Sequence, residues 1–213
     1  MSCPLCLKET IAHYHQDKSR DYWQCQTCDL VFVKTDQLLD MRQEQAIYDL
    51  HQNCANDLGY RAFLNKLLLP LLAKLHKDAR GLDFGSGPGP TISVMLQEQG
   101  LTVDNYDIYY AKNPSLLLKT YDFITCTEVV EHFYNPHQEF SLLKTMLKPN
   151  GILGIMTKRP LNQEKFKNWH YKNDPTHVCF YAISTFTYIA AQWDFTLQVV
   201  NSDTVLLLNK SKH

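Results

Sequence analysis

Glu128, Glu131 and His132 stand at E-x-x-E-H spacing in the segment Thr127-Glu128-Val129-Val130-Glu131-His132. On a single helical turn, positions i, i+3 and i+4 share one face. The spacing therefore gathers two carboxylates and an imidazole. Such a set can hold a divalent cation, and its imidazole titrates near neutrality, as proton transfer requires. A second group is sulfur chemistry. Cys3-x-x-Cys6 and Cys25-x-x-Cys28 are separated by 18 residues, inside the spacing window of a tetrahedral four-cysteine zinc site. A segment this short has little apolar core, so zinc would supply much of its folding free energy. The third group is Leu82-Asp83-Phe84-Gly85-Ser86-Gly87-Pro88-Gly89-Pro90, with glycine at alternate positions. An apolar lead-in, a glycine turn and a following helix-like segment expose backbone N–H groups to an approaching ligand.

The elements that position these residues follow from periodicity. The run from Arg80 reads as a strand ending in the glycine turn, and Thr91 to Gln99 as the helix after it. Leu101 to Ile108 is a second strand, and Tyr121 to Cys126 another that delivers the E-x-x-E-H segment. Asn135-Pro136 opens a helix with Leu142, Leu143, Met146 and Leu147 on its buried face. Lys148-Pro149-Asn150-Gly151 is read as a turn before a strand from Ile152 to Thr157. A helix from Ile183 to Gln192 precedes two strands, Phe195 to Asn201 and Thr204 to Asn209, whose short connection implies an antiparallel edge hairpin. Upstream, 35–57 is a polar linker with a short helix, and Leu58 to His76 an amphipathic helix interrupted by Pro70. Asp107 falls about 20 residues after the glycine turn, where an acidic side chain can accept from a ribose diol. Asp104 is its competitor.

Two glycine fingerprints compete. The dinucleotide pattern G-x-G-x-x-G, started at Gly85, requires a glycine where Pro90 stands. The fitting pattern is D-x-G-x-G-x-G on Asp83, Gly85, Gly87 and Gly89. It resembles motif I of the class I S-adenosylmethionine (SAM)-dependent methyltransferases. The run from Tyr121 to Thr157 resembles the same family: a strand, E-V-x-E-H, a helix, L-K-P-x-G and a strand. The resemblance covers roughly residues 81–209 and is of the methyltransferase-23 type. It implies an α/β, Rossmann-like class I methyltransferase fold. That fold has a mostly parallel central sheet with an antiparallel edge hairpin, here with a small N-terminal zinc ribbon added. It also implies SAM bound by Asp83, Gly85, Ser86, Gly87, Gly89 and Asp107. The chain departs from the family between the second strand and Tyr121, where a third strand and its helix are shortened or missing. Adenine contacts then fall to the surroundings of Ile108 and Cys126. Tyr48 and Tyr60 would close over the cofactor, as N-terminal aromatics do in related enzymes.

The E-x-x-E-H segment further resembles the metal-binding segment of ubiquinone-pathway O-methyltransferases and of small-RNA 3′-terminal 2′-O-methyltransferases. In the latter a downstream histidine completes the site, and the candidate here is His177. The resemblance thus implies Mg²⁺ or Mn²⁺ on Glu128, Glu131, His132 and His177. His132, His177 and Glu131 are the candidate catalytic residues. Trp169, Tyr171 and Phe180 are available to stack on a planar acceptor or to fill a core around the last strands.

The expected organisation is a zinc ribbon over 1–34, a linker with N-terminal helices over 35–78 and a SAM-binding domain over 79–213. A net charge of −1 gives no electrostatic footprint for bulk nucleic acid or a membrane surface. No apolar run is long enough for a membrane span. The N-terminus shows no apolar signal region, so a cytoplasmic location is expected, and the seven cysteines then point to metal rather than disulfides. The expected partner is a small-molecule acceptor. Two other readings stay open: a protein that keeps the fold but only binds, and an NAD(P) oxidoreductase.

Overall fold

The computed structural model describes residues 1–50 and 54–210. Positions 51–53 of the expected linker and 211–213 of the expected SAM-binding domain lie outside them. The first strands are β1 (Ile11–Gln16), β2 (Asp21–Cys25) and β3 (Val31–Val33). Two helices follow, α1 (Met41–Tyr48) and α2 (Leu58–Leu72). Asp40 and Gln43 form a capping box that starts α1 in an otherwise polar stretch. Pro70 lies within α2, which ends at Leu72, a turn earlier than its apolar stripe suggested. Then come β4 (Arg80–Phe84), α3 (Thr91–Glu98), β5 (Thr102–Tyr106), β6 (Tyr121–Thr127), α4 (Pro136–Thr145) and β7 (Leu147–Met156). The chain closes with α5 (Gln163–Lys167), β8 (Cys179–Phe180), α6 (Ile183–Gln192), β9 (Phe195–Val199) and β10 (Thr204–Asn209).

The central sheet has the order β5-β4-β6-β7-β10-β9. Pairs among β5, β4, β6 and β7 are parallel, and β10 runs antiparallel to both β7 and β9. This is the Rossmann-like α/β architecture with an antiparallel edge hairpin. The chain moves outward from β4 to β5 and then returns to the other side of β4, so the crevice at a topological switch point opens between β4 and β6. Between β5 and β6 the described chain makes only an isolated bridge (Asp107–Ala111) and a short 3-10 helix (Pro114–Leu118), where the family's third strand was expected to be lost.

The second sheet, β1-β2-β3-β8, is antiparallel. Its last strand is contributed by the far C-terminal part of the chain, after the central sheet's parallel strands, and pairs Phe180 with Val31 and Cys179 with Phe32. Phe180 is 1% exposed, so it belongs to the core and offers no face to an acceptor. One continuous apolar cluster runs from Leu5, Tyr22 and Phe32 through Phe180 to Phe133, Phe140 and Tyr181. A second cluster packs α2 and α3 on the opposite face of the central sheet through Leu64, Leu67, Leu71, Ile92 and Leu96.

Asp83 shows how the crevice is held. Its carboxylate is buried beneath the turn, accepting from Thr125 Oγ1 of β6 at 2.8 Å and Ser93 Oγ of α3 at 3.3 Å. Burial pushes its pKa up to about 6 despite both bonds. The native state therefore holds a proton that the unfolded chain releases nearer pH 4, and stability should fall as pH rises through that window. Asp83→Asn should remove this slope. Relative to wild type, the variant should gain roughly 2–3 kcal/mol between pH 4 and 7. Denaturant titrations across that range test it, and parallel curves for the two proteins would contradict the assignment.

Candidate functional site

The glycine turn is built by two glycines with different duties. Gly85 (φ +76°) and Gly87 (φ +63°) both adopt left-handed backbone that side chains resist. A Cβ on Gly85 would lie 2.6 Å from both Cγ atoms of Val129, in the E-x-x-E-H segment. Gly85 thus lets β4 and that segment approach each other. A Cβ on Gly87 would meet nothing within 4 Å. Gly87 borders open space at the mouth of the crevice. The N–H groups of Gly85 and Ser86 donate to Tyr106 O at 2.8 and 3.2 Å, and Gly87 N–H donates to Asp107 Oδ2 at 2.9 Å. Asp107 Oδ1 accepts from the N–H groups of Tyr109 and Tyr110. These bonds fix the carboxylate at the end of β5 beside the turn and leave one lone pair, on Oδ2, for a ribose hydroxyl. Ser86 Oγ is buried without a partner. Gly89 O accepts from Thr91 N–H at 2.7 Å and so helps start α3. Asp104 is engaged by Lys119 and Tyr121.

Helix α1 lies across this mouth. Glu44 is buried and accepts from Tyr48 OH at 2.8 Å and Tyr109 OH at 2.6 Å. The Tyr48 ring meets His132 edge-on, with centroids 5.3 Å apart. Tyr48 thus links the Asp107 loop to the acidic-histidine segment. Tyr60 stacks on Phe63 at the start of α2. Ile108 is half exposed and Cys126 is fully buried in β6.

The E-x-x-E-H segment is not the regular helical turn that its spacing implied. Glu128 takes left-handed backbone (φ +55°), its N–H bonded to Met156 O, and only Val130–His132 form a 3-10 turn. The carboxylates still face each other because Tyr171 joins them. Its hydroxyl donates to Glu131 Oε1 and lies 3.1 Å from Glu128 Oε2. Burial raises the pKa of both acids, and Glu131 is raised further by Glu128. Glu128 Oε1 and Glu131 Oε2 are buried without partners.

Both imidazoles are oriented by backbone carbonyls. His132 Nδ1 lies 3.0 Å from Thr176 O, and His177 Nδ1 lies 2.6 Å from Tyr171 O. A carbonyl only accepts, so Nδ1 carries the hydrogen, and in the neutral rings the lone pair sits on Nε2. The two rings meet with centroids 4.8 Å apart. Ligand atoms of Glu131, His132 and His177 lie within 4.8 Å of one another, and Glu128 joins this set only through Tyr171. By type, Tyr171 suits stacking on an acceptor or filling a core, and its ring is buried in the core while its hydroxyl serves the acids. Its role as the shared donor depends on a loop about 40 residues away, which no local pattern announces.

The four ribbon thiols also converge within 4.8 Å. Cys3 and Cys28 sulfurs are 3.6 Å apart, and those of Cys6 and Cys25 3.3 Å. Tetrahedral zinc with bonds of about 2.3 Å would set its sulfurs roughly 3.8 Å apart, so the donor set fits the metal after a small expansion. All four are free and buried.

Comparison with known proteins places this geometry in a family. Residues 57–200 match the family model described as a methyltransferase domain. The ubiquinone biosynthesis O-methyltransferase of Histophilus somni is 31% identical over 107 residues, which are 48% of this chain and 43% of that protein. The chain thus spans less than half the length of that relative. Among solved structures, the 1,6-didemethyltoxoflavin-N1-methyltransferase of Burkholderia thailandensis, with bound 1,6-didemethyltoxoflavin and S-adenosylhomocysteine, has a TM-score of 0.52. It is 14% identical, over 94% of this chain and 100% of that one. A SAM-dependent methyltransferase from Archaeoglobus fulgidus has a TM-score of 0.50 at 20% identity, covering 65% of this chain and 76% of that one. These likenesses establish a shared fold. The sheet that turns back at β4 and the open glycine turn above it lie within the matched residues 57–200, and the chain belongs to the methyltransferase-domain family.

Proposed function

We propose that this protein transfers a methyl group from SAM to a hydroxyl of a small-molecule acceptor. The observation that carries the reading is the adjacency of two half-built sites: an open glycine turn with a fixed Asp107 carboxylate, and beside it the buried Glu131 and His177 with the half-buried Glu128 and His132. SAM brings an already activated methyl group on its sulfonium. The chain's own work is then alignment, exclusion of water and removal of the acceptor proton. Gly87 leaves room for the cofactor, and Asp107 Oδ2 accepts from a ribose hydroxyl. Nε2 of His132 or His177 takes the acceptor proton as the oxygen attacks the methyl carbon and the carbon–sulfur bond breaks. Tyr171 holds the two acids in register. A divalent cation held by Glu131 and Nε2 of His132 and His177 would take the place of that base, lowering the pKa of the acceptor hydroxyl by Lewis-acid polarisation instead. Carboxylate and imidazole donors suit Mn²⁺, or Mg²⁺ with retained waters. Zinc is assigned to Cys3, Cys6, Cys25 and Cys28, on the fit of the donor set.

The reading is tested by calorimetry with SAM and S-adenosylhomocysteine, followed by labelled-methyl transfer into a metabolite extract with and without Mn²⁺. Transfer to a hydroxyl acceptor is expected. Tight SAM binding without transfer to any pool would leave a binding protein of this fold, and NAD outcompeting SAM would overturn the cofactor. A sharper check uses Gly87→Val. Its side chain would enter the mouth of the crevice, so SAM affinity should fall at least tenfold, or about 1.4 kcal/mol. The left-handed backbone adds a stability cost of about 1–2 kcal/mol. Unchanged affinity in the folded variant would show that the cofactor lies elsewhere.

A further inference from the structure

The β1–β2 hairpin turn contains Asp17-Lys18-Ser19-Arg20, by composition an ordinary solvated turn. Arg20 is buried instead. Its guanidinium donates to four backbone carbonyls of a single loop. Nη1 reaches Pro175 O at 3.0 Å and His177 O at 2.9 Å, while Nη2 reaches Asp174 O at 2.9 Å and also bonds Lys172 O. Asp17, in the same turn, pairs with the buried Lys172 at 2.7 Å. The Tyr22 hydroxyl lies 3.2 Å from Lys172 O. The loop so gripped is the one that carries Tyr171 and His177 to the acids. Only arginine's forked, permanently charged donors can serve carbonyls pointing in several directions from one position.

The ribbon holds the site at other points too. Immediately after His177 the chain joins the ribbon sheet, with Val33 N–H donating to Val178 O at 2.9 Å and β8 pairing with β3. Val178 N–H donates to Glu131 O at 2.8 Å, so the gripped loop and the acidic segment are bonded to each other. On the far side of that segment, the first cysteine knuckle accepts from α4. His137 N–H donates to Pro4 O at 3.2 Å, and His137 Nδ1–H to Leu5 O at 2.9 Å. Strand β2 connects these grips to the sulfur cluster: it begins one residue after Arg20 and ends at Cys25.

We propose that the cysteine ribbon positions the acceptor site. Arg20 is the positioning residue that holds 172–177 so that His177 and Tyr171 stand against Glu131 and His132, and metal on the four thiols sustains that grip. The proposal rests on the reading of those residues as the acceptor site for its effect on turnover, but not for its structural content. Hydrogen exchange of the whole 213-residue chain measures the structural part directly.

In Arg20→Ala, amides of 170–178 should exchange at least about tenfold faster, because several bonds to a charged donor are lost. Amides of 85–107 should be unchanged, and the dissociation constant for SAM should stay within about twofold. Losing the ribbon metal in Cys25→Ser, which leaves Glu131, His132 and His177 in place, should speed exchange in the same 170–178 segment. With a methyl acceptor in hand, Arg20→Ala should raise the acceptor KM or lower kcat while the KM for SAM holds. Added guanidinium should restore part of both turnover and protection. Arg20→Lys keeps the charge but serves fewer carbonyls, so it should fall between wild type and alanine. It carries the test if Arg20→Ala does not fold. Unchanged exchange at 170–178 in a folded Arg20 variant would overturn the positioning role. Unchanged exchange there on loss of that metal, or purified protein without metal on the thiols, would overturn the coupling to the ribbon. Wild-type protein without methyl transfer would sink the functional reading alone, and the exchange results would still decide the proposal.

Discussion

Cys25→Ser should release the ribbon's metal and lower the melting temperature of the whole protein. Metal analysis should find about one zinc per wild-type chain and far less in the variant. A four-thiolate zinc site in a short ribbon contributes folding free energy on the order of 10 kcal/mol, and losing one thiolate forfeits a large part of it. The loss cannot stay local. β3 has three residues and β8 two, too few to hold their pairing without the cluster behind them. The apolar core passes without a break from Leu5, Tyr22 and Phe32 to Phe133, Phe140 and Tyr181. A loss of about 3–5 kcal/mol would lower the midpoint by roughly 10 °C in a chain of this size. Cys54→Ser, at an exposed cysteine, is the control and should do neither. Retained zinc in Cys25→Ser would remove the assignment.

How much of this molecule could be read in advance depends on how local each feature is. The glycine turn, β4 and α3 were legible because tight turns demand glycine and the flanking periodicities differ. Helix α6 and the hairpin of β9 and β10 were legible for similar reasons. Asn135-Pro136 does open α4, with proline at the first helical position. Other local signals misled. Lys148-Pro149-Asn150-Gly151 is not a separate turn but a bulged start to β7, where five residues of β7 oppose two of β6 and Asn150 takes φ +62°. Glu128 has left-handed backbone that a glutamate gives no reason to expect. Its surroundings require it, since the segment must leave β6 over the bare face of Gly85. The least legible features were non-local: Arg20 on a loop more than 150 positions away, β8 completing the ribbon sheet, and Glu44 under two tyrosines. Charge and exposure patterns describe a residue's own element, and these residues are defined by another one.

Glu131→Gln should abolish most turnover while leaving the fold and SAM affinity in place. Tyr171 donates to Glu131 Oε1, a bond that a glutamine carbonyl can still accept. The change falls on Oε2, the buried oxygen without a protein partner. An amide there offers N–H groups in place of lone pairs, and can neither ligate a cation nor stabilise a protonated imidazole. The expected loss is about 10²–10⁴-fold in kcat, the usual range for removing an acid–base group. His177→Ala should show a loss of similar kind, again with SAM binding intact, because its neighbours are Tyr171, His132 and the acids rather than the glycine turn. Metal separates the two ways in which Glu131 can act. If wild-type turnover falls with EDTA and returns with Mn²⁺, Glu131→Gln should be inactive at any metal concentration near the wild-type optimum. If wild-type turnover ignores EDTA, Glu131 acts on the imidazoles. The pH–rate profiles of wild type and variant should then differ, since the variant removes a buried acid whose own pKa is raised by burial and by the neighbouring Glu128. A Glu131→Gln protein that turns over within about threefold of wild type would exclude both roles. The buried acids would then serve the fold alone, and the methyl acceptor would have to be sought on the other side of α1.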